Sequence, residues 1–161
     1  MKIIDQTIKY ISYFTAFILA VLVCLVLFDA TSRYLFSSGS TALQELEWHF
    51  FDVVILLSIA FTLKQNAHVR VDIFYDHFSA KTKAIINIFA GIFFILPLSA
   101  LIIYMGTNFV EMSFIQNEAS SDPGGLKYRW IVKSLMPLAF VFLILQTFKE
   151  IYSDFKRLKS L

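Results

Sequence analysis

Cysteine is almost missing from this sequence. Cys24 is the single one, and it sits inside an apolar run, so neither a disulfide framework nor a thiolate zinc site can be built, and the residue reads as a small apolar filler. Charge is also scarce: 16% of residues are charged, where a soluble domain of ordinary composition carries about 25%. The net charge of +2 is small, and the basic residues flank apolar runs instead of forming a patch, which argues against a nucleic-acid partner. There is no phosphate loop, no Cys-x-x-Cys pair, no nucleophile elbow and no His-Glu-x-x-His helix, so no enzyme chemistry is announced. No internal repeat, direct or inverted, suggests a transporter with its own symmetric midplane site.

What is abundant is apolar surface. The 161 residues are 58% hydrophobic and include 18 Phe, with a mean hydropathy of +0.69. The expectation is an all-α integral membrane protein of one domain, with four transmembrane helices at about 8–36, 41–64, 81–112 and 130–152. Tyr10 to Phe28 is uncharged for 19 residues, enough to cross a hydrocarbon core of about 30 Å. It lacks a small-x-small cleavage site and reads as a retained first span rather than a signal peptide. Asp29 and Arg33 follow at i, i+4, the spacing of an intrahelical pair; the functional alternative is a proton- or ion-carrying Asp29. A Ser/Gly turn follows, with a Ser or Thr before Ala42 placed to cap the second helix.

The stretch from Ala42 to Lys64 organises the rest. Its length suits a span, yet its first half carries Glu45, Glu47, His49 and Asp52. Glu45, His49 and Asp52 share one helical stripe at i, i+4, i+7, while Glu47 points the other way. Ionisable groups at membrane depth face protein, a cavity or the interface, so this helix expects neighbours. The segment 68–80 differs in kind. Wound as a helix it places Val71, Phe74, Tyr75 and Phe78 on one face and Asp72 and Asp76 on the other, an amphipathic helix suited to the membrane interface. In the third span Pro97 should loosen or kink the helix, and Gly91 permits close helix approach. A loop over 113–129, turning at Pro123-Gly124-Gly125, leads into the fourth span, where Pro137 sits near the start.

An inward N-terminus collects ten basic residues on one side (Lys2, Lys9, Lys64, Arg70, Lys81, Lys83, Lys149, Lys156, Arg157 and Lys159) and leaves four on the other, namely Arg33, Lys127, Arg129 and Lys133. The positive-inside rule then places both termini and the interfacial helix in the cytoplasm and the Pro-Gly-Gly loop outside. Of three histidines, His49 alone lies within a span, a poor match to paired axial haem ligands. The readings open at this point are a non-catalytic transporter subunit, a haem-binding membrane anchor of a redox enzyme, and a small self-assembling exporter working through Asp29.

Several pieces together resemble a known family. These are Arg33-Tyr34-Leu35-Phe36 before the turn, Gln44-Glu45-Leu46-Glu47-Trp48-His49, His68-Val69-Arg70-Val71-Asp72, and Asp122-Pro123-Gly124-Gly125-Leu126-Lys127-Tyr128-Arg129-Trp130 with Lys133 and Pro137 beyond it. They resemble the small membrane subunit (DctQ family) of tripartite ATP-independent periplasmic (TRAP) transporters, over nearly the whole chain. The resemblance implies a multi-pass protein of the bacterial inner membrane without a cofactor. It would scaffold a large elevator-type membrane subunit that holds the sodium and substrate sites, for uptake of an organic acid delivered by a periplasmic binding protein. It further implies a structural polar cluster and partner interface of Arg33, Glu45 and Glu47, to which the stripe adds His49 and Asp52. His68, Arg70 and Asp72 would set the entry to the interfacial helix. The loop residues Glu118, Asp122, Pro123, Gly124, Gly125 and Arg129 are candidates to touch the binding protein. Membrane lipids are the remaining expected partner.

Overall fold

The computed structural model describes residues 2–65 and 78–160, and the described residues are helical apart from the connecting turns. Helix α1 spans Lys2–Phe36, α2 spans Thr41–Lys64, and α3 spans Ala80–Ile115 with a π turn at Gly91–Ile95. A short α4, Trp130–Lys133, leads into α5, Leu135–Ser160. Four helical stretches are long and apolar enough to cross a membrane: Ile3–Phe36, Thr41–Lys64, Ala80–Ile115 and Trp130–Lys159.

Helices outrun the apolar stretches that defined them in sequence, because Lys, Glu, Gln and Arg sustain a helix as well as apolar residues do. The first begins at Lys2 rather than near Ile8, and the last continues past Tyr152. Most of the expected interfacial helix, over 68–77, lies outside the described residues. At its far end Ser79 is the cap of α3, its hydroxyl accepting from Thr82 N at 3.2 Å, and Ala80 already belongs to that helix. Ser40 caps α2 in the same way, accepting from Leu43 N at 3.4 Å.

The helices pack side by side mainly as a single layer, α1 against α2, α2 against α5, and α5 against α3, with α1 also touching α5 at the end where Asp5 meets Lys149. The contact lines are narrow. On α1 the buried positions are Ile8, Thr15, Leu22 and Asp29, one residue per heptad, the spacing of a left-handed, nearly parallel helix contact. On α3 the buried line of small residues is Ala84, Gly91, then Ser99, Gly106 and Ser113, with Ile88 buried beside it. Its steps are seven residues except across the π turn, where the step is eight. A π turn inserts one extra residue into the helix, so it restores the register that a straight α-helix would lose there. Pro97, which cannot donate a backbone hydrogen bond, follows directly. The Leu96 N–H donates to Gly91 O across the turn.

Small residues on this line bring α3 onto α5. A Cβ placed on Gly91 would meet Ile151 Cδ1 at 3.0 Å, and one on Gly106 would meet Met136 Cε at 3.1 Å. Contact through small residues is how helices associate where lipid is as apolar as leucine. Much of what is buried is accordingly polar (Thr15, Asp29, Ser99, Ser113, Gln146 and Thr147), while Phe14, Phe17, Phe28, Phe93, Phe94 and Phe109 are exposed. In the most apolar stretches of α1 and α3 only 11% of residues are buried. That surface needs lipid or another protein to cover it.

Candidate functional site

Two polar layers bracket the apolar slab. Glu45 and Lys64 lie 19 residues apart on α2, about 28 Å at 1.5 Å per residue, close to the thickness of a hydrocarbon core.

The layer at the Glu45 end is built around that carboxylate. Glu45 is buried on the first turns of α2. It accepts from the Ser120 hydroxyl, from Leu126 N at 2.6 Å and from Arg129 Nη2 at 2.8 Å. These donors all come from the loop before α4, so one carboxylate at the start of α2 holds a segment 75 or more residues later. The loop is also closed on itself: Arg129 N donates to Glu118 O at 3.1 Å, Ser120 N to Leu126 O at 2.9 Å, and Gly125 N to Asp122 O at 3.0 Å. Gly125 is required for this fold-back, because a Cβ there would run into Ser120 and come within 2.9 Å of Glu45 Oε2. Gly124, at φ +81°, makes the turn at the open tip. Tyr128 takes a positive φ of 62°, uncommon for a side chain of that size, immediately before the arginine that reaches Glu45.

Glu118 pairs with Lys133, whose ammonium also lies 3.9 Å from the centre of the Phe109 ring. The Lys133 hydrogen bond holds the Glu118 carboxyl below its ordinary value. Trp130 meets Phe114 edge to face at 5.4 Å, so α4 is tied to the end of α3 by charge and by aromatic contact.

Between α2 and this loop lies an open cleft of about 390 Å³, lined by Thr41, Gln44, Glu45, Trp48, His49, Asp52, Asp122, Arg129, Val132 and Lys133. The stripe Glu45, His49 and Asp52 thus faces one cavity. Arg33 stands apart from it. It pairs with Asp29 one turn earlier on α1, and Asp29 is fully buried. Among the described residues no hydrogen bond or ion pair joins Arg33 to Glu45 or Glu47. Glu47 has a buried Oε1 without a hydrogen-bond partner among the described residues. Of the loop candidates, Glu118, Gly125 and Arg129 hold the loop's shape, while Asp122, Pro123 and Gly124 are exposed at its tip. His68, Arg70 and Asp72 lie outside the described residues.

Sequence reasoning missed the second layer. At the end carrying the chain termini, Asp5 pairs with Lys149 and, at 3.4 Å, with Lys64, whose Nζ also donates to Asp5 O at 3.1 Å. Gln146 donates to Glu150, and Asn87 Nδ2 donates to Asp154 at 3.2 Å. Residues 146, 150 and 154 repeat every four positions, and that spacing was a legible sign of one helical stripe. The four helices are therefore cross-linked by charge at this end.

Residues 22–157 match the sequence profile of the family described as tripartite ATP-independent periplasmic transporters, DctQ component. The chain is also similar to a Haemophilus influenzae protein named for the TRAP transporter small permeases, with 21% identity over 154 residues covering 96% of this chain and 92% of that one. A layer of four long apolar helices, held by polar contacts at both ends, accompanies that match, and the chain belongs to the DctQ component family of the tripartite ATP-independent periplasmic transporters.

Proposed function

We propose that this chain is a non-catalytic scaffold of the bacterial inner membrane, the stationary partner of a large membrane subunit. The observation that carries the reading is the single-layer packing. Helices joined edge to edge leave two broad apolar faces, and the outer helices α1 and α3 bury little of themselves within the chain. A layer of this kind enlarges and anchors a neighbour rather than enclosing a substrate of its own. In this reading the large subunit moves as an elevator and holds the sodium and substrate sites. A periplasmic binding protein delivers an organic acid. Both termini lie in the cytoplasm, and the loop tip at Asp122, Pro123 and Gly124 faces the periplasm, where the binding protein docks.

The test is purification of the tagged chain from its own membranes in mild detergent, with mass identification of what co-elutes, followed by reconstitution. A many-span partner in stoichiometric amount, and sodium-coupled uptake in liposomes only when that partner is present, are the expected results. Uptake by this chain alone would refute the scaffold reading, and a flavoprotein or iron–sulfur partner would replace it with a redox anchor.

A further inference from the structure

The charges around the cleft do not balance. Glu45 is met by Arg129 and Glu118 by Lys133, so both cations at the cleft wall already serve a carboxylate. Asp52 and Asp122 remain, and Asp52 makes no hydrogen bond or ion pair with the described residues; His49 lies on the same face of α2. Three carboxylates, Glu45, Asp52 and Asp122, therefore line the cleft with two cations, one of which is already engaged by Glu118 outside it. Asp52 is seven residues beyond Glu45 along α2, about 10 Å further from the loop. It also lies on the inner side of Trp48, which is exposed and suits the membrane interface. A charged carboxylate at that depth, in an open cleft, is costly unless something of opposite charge covers it. The cleft volume is more than ten times the share of one water in the liquid, about 30 Å³, so it has room for a side chain and bridging waters.

We infer that this cleft seats a cationic side chain, an arginine or lysine, projecting from a membrane helix of the large subunit, with Asp52 as its counter-charge and His49 beside it. The inference rests on the scaffold reading and specifies where the two subunits lock. A lipid amine fits less well. Headgroup amines sit at the interface, at the level of Glu45 and Trp48, whereas Asp52 lies about 10 Å beyond Glu45 and about 6 Å beyond Trp48; a long basic side chain from a neighbouring helix reaches that depth directly. The pair also fixes the register of one subunit against the other, which apolar faces alone leave free to slide.

The experiment uses the full small and large subunits, co-expressed, with the tag on the large one. Asp52→Asn, nearly isosteric, is expected to lower the small subunit retained after a salt wash by about tenfold or more, the usual scale for stranding one member of a buried charge pair. Asp52→Lys is expected to abolish retention, and Asp52→Glu to keep most of it. Changing one basic residue of the large subunit to Asp or Glu should restore assembly with Asp52→Lys. The wild-type complex gives a readout that depends on no variant folding: carbodiimide labelling of Asp52 carboxyl should occur in the isolated small subunit and be blocked in the complex. Retention of the Asn and Lys variants at the wild-type level, or equal labelling in both states, overturns the inference while the wild-type pair still co-purifies. Loss of retention on stripping phosphatidylethanolamine from the wild-type complex, regained when that lipid is returned, would assign the cleft to a lipid amine and also overturn it. Absence of any wild-type complex would refute the scaffold reading itself, and this inference with it.

Discussion

Gly91 offers a direct test of how α3 is held in the layer. It lies at the start of the π turn, and a Cβ there would stand 3.0 Å from Ile151 Cδ1, 3.1 Å from Ile151 Cγ1 and 3.4 Å from Thr147 Cγ2. Gly91→Ala has two opposed effects. Removing glycine from a helix interior gains about 0.8–1 kcal/mol, while the contact requires the flexible end of Ile151 to give by a few tenths of an ångström. The net change should be near zero. In Gly91→Leu the propensity gain is similar, but a whole side chain must enter a closed seam, and overpacking on this scale costs about 2–3 kcal/mol, the upper part of the usual range. The expected net loss of about 1–2 kcal/mol corresponds to a melting temperature lower by roughly 2–8 °C, at about 2–4 °C per kcal/mol for a chain of this size. Melting of detergent-solubilised protein, followed by loss of the monodisperse elution peak, reads this directly. The double variant Gly91→Leu with Ile151→Ala should regain much of the loss, because the space vacated by Ile151 takes the new side chain and residues in contact couple. A Gly91→Leu variant as stable as the wild type, or a double variant less stable than either single one, would refute the close α3–α5 seam and the role given to the π turn.

Two further outcomes follow from the polar layer around Glu45. Glu45→Gln replaces a carboxylate that accepts from Ser120, Leu126 N and Arg129 through both its oxygens by an amide with one acceptor oxygen and no charge for the guanidinium; hydrogen exchange and proteolysis should increase at residues 120–126 while the helix content is unchanged, and unaltered protection there would show that Glu45 does not hold the loop. For Glu118 the carboxyl is held below its ordinary value of 4.5, first by Lys133, so its contribution is complete above that value and is lost as pH falls through the lower folded-state value. Melting temperature should therefore decline below pH 4.5 less steeply in Glu118→Gln than in the wild type; identical acid limbs would remove Glu118–Lys133 from the account.

The sequence alone settled the four apolar helices, the Ser or Thr cap before α2, the Asp29–Arg33 pair, and the shared face of Glu45, His49 and Asp52. Each of these depends on residues within two turns of one another, where periodicity and capping chemistry are decisive. Two long-range features lay beyond such reasoning. Nothing local says that Glu45 is matched by Arg129, 84 positions away, rather than by Arg33, or that the helices lie in the order α1, α2, α5, α3. The buried lines were hidden for a different reason. In a soluble helix hydrophobicity marks the core, but here nearly every position is apolar, and the contact lines are marked by small and polar residues such as Thr15, Gly91, Ser99, Gly106 and Gln146. Hydropathy reports compatibility with lipid and is blind to which apolar face meets a neighbour. Only the tertiary structure, by placing an extra residue at Gly91–Ile95, shows that the small residues before and after the turn form one continuous seam.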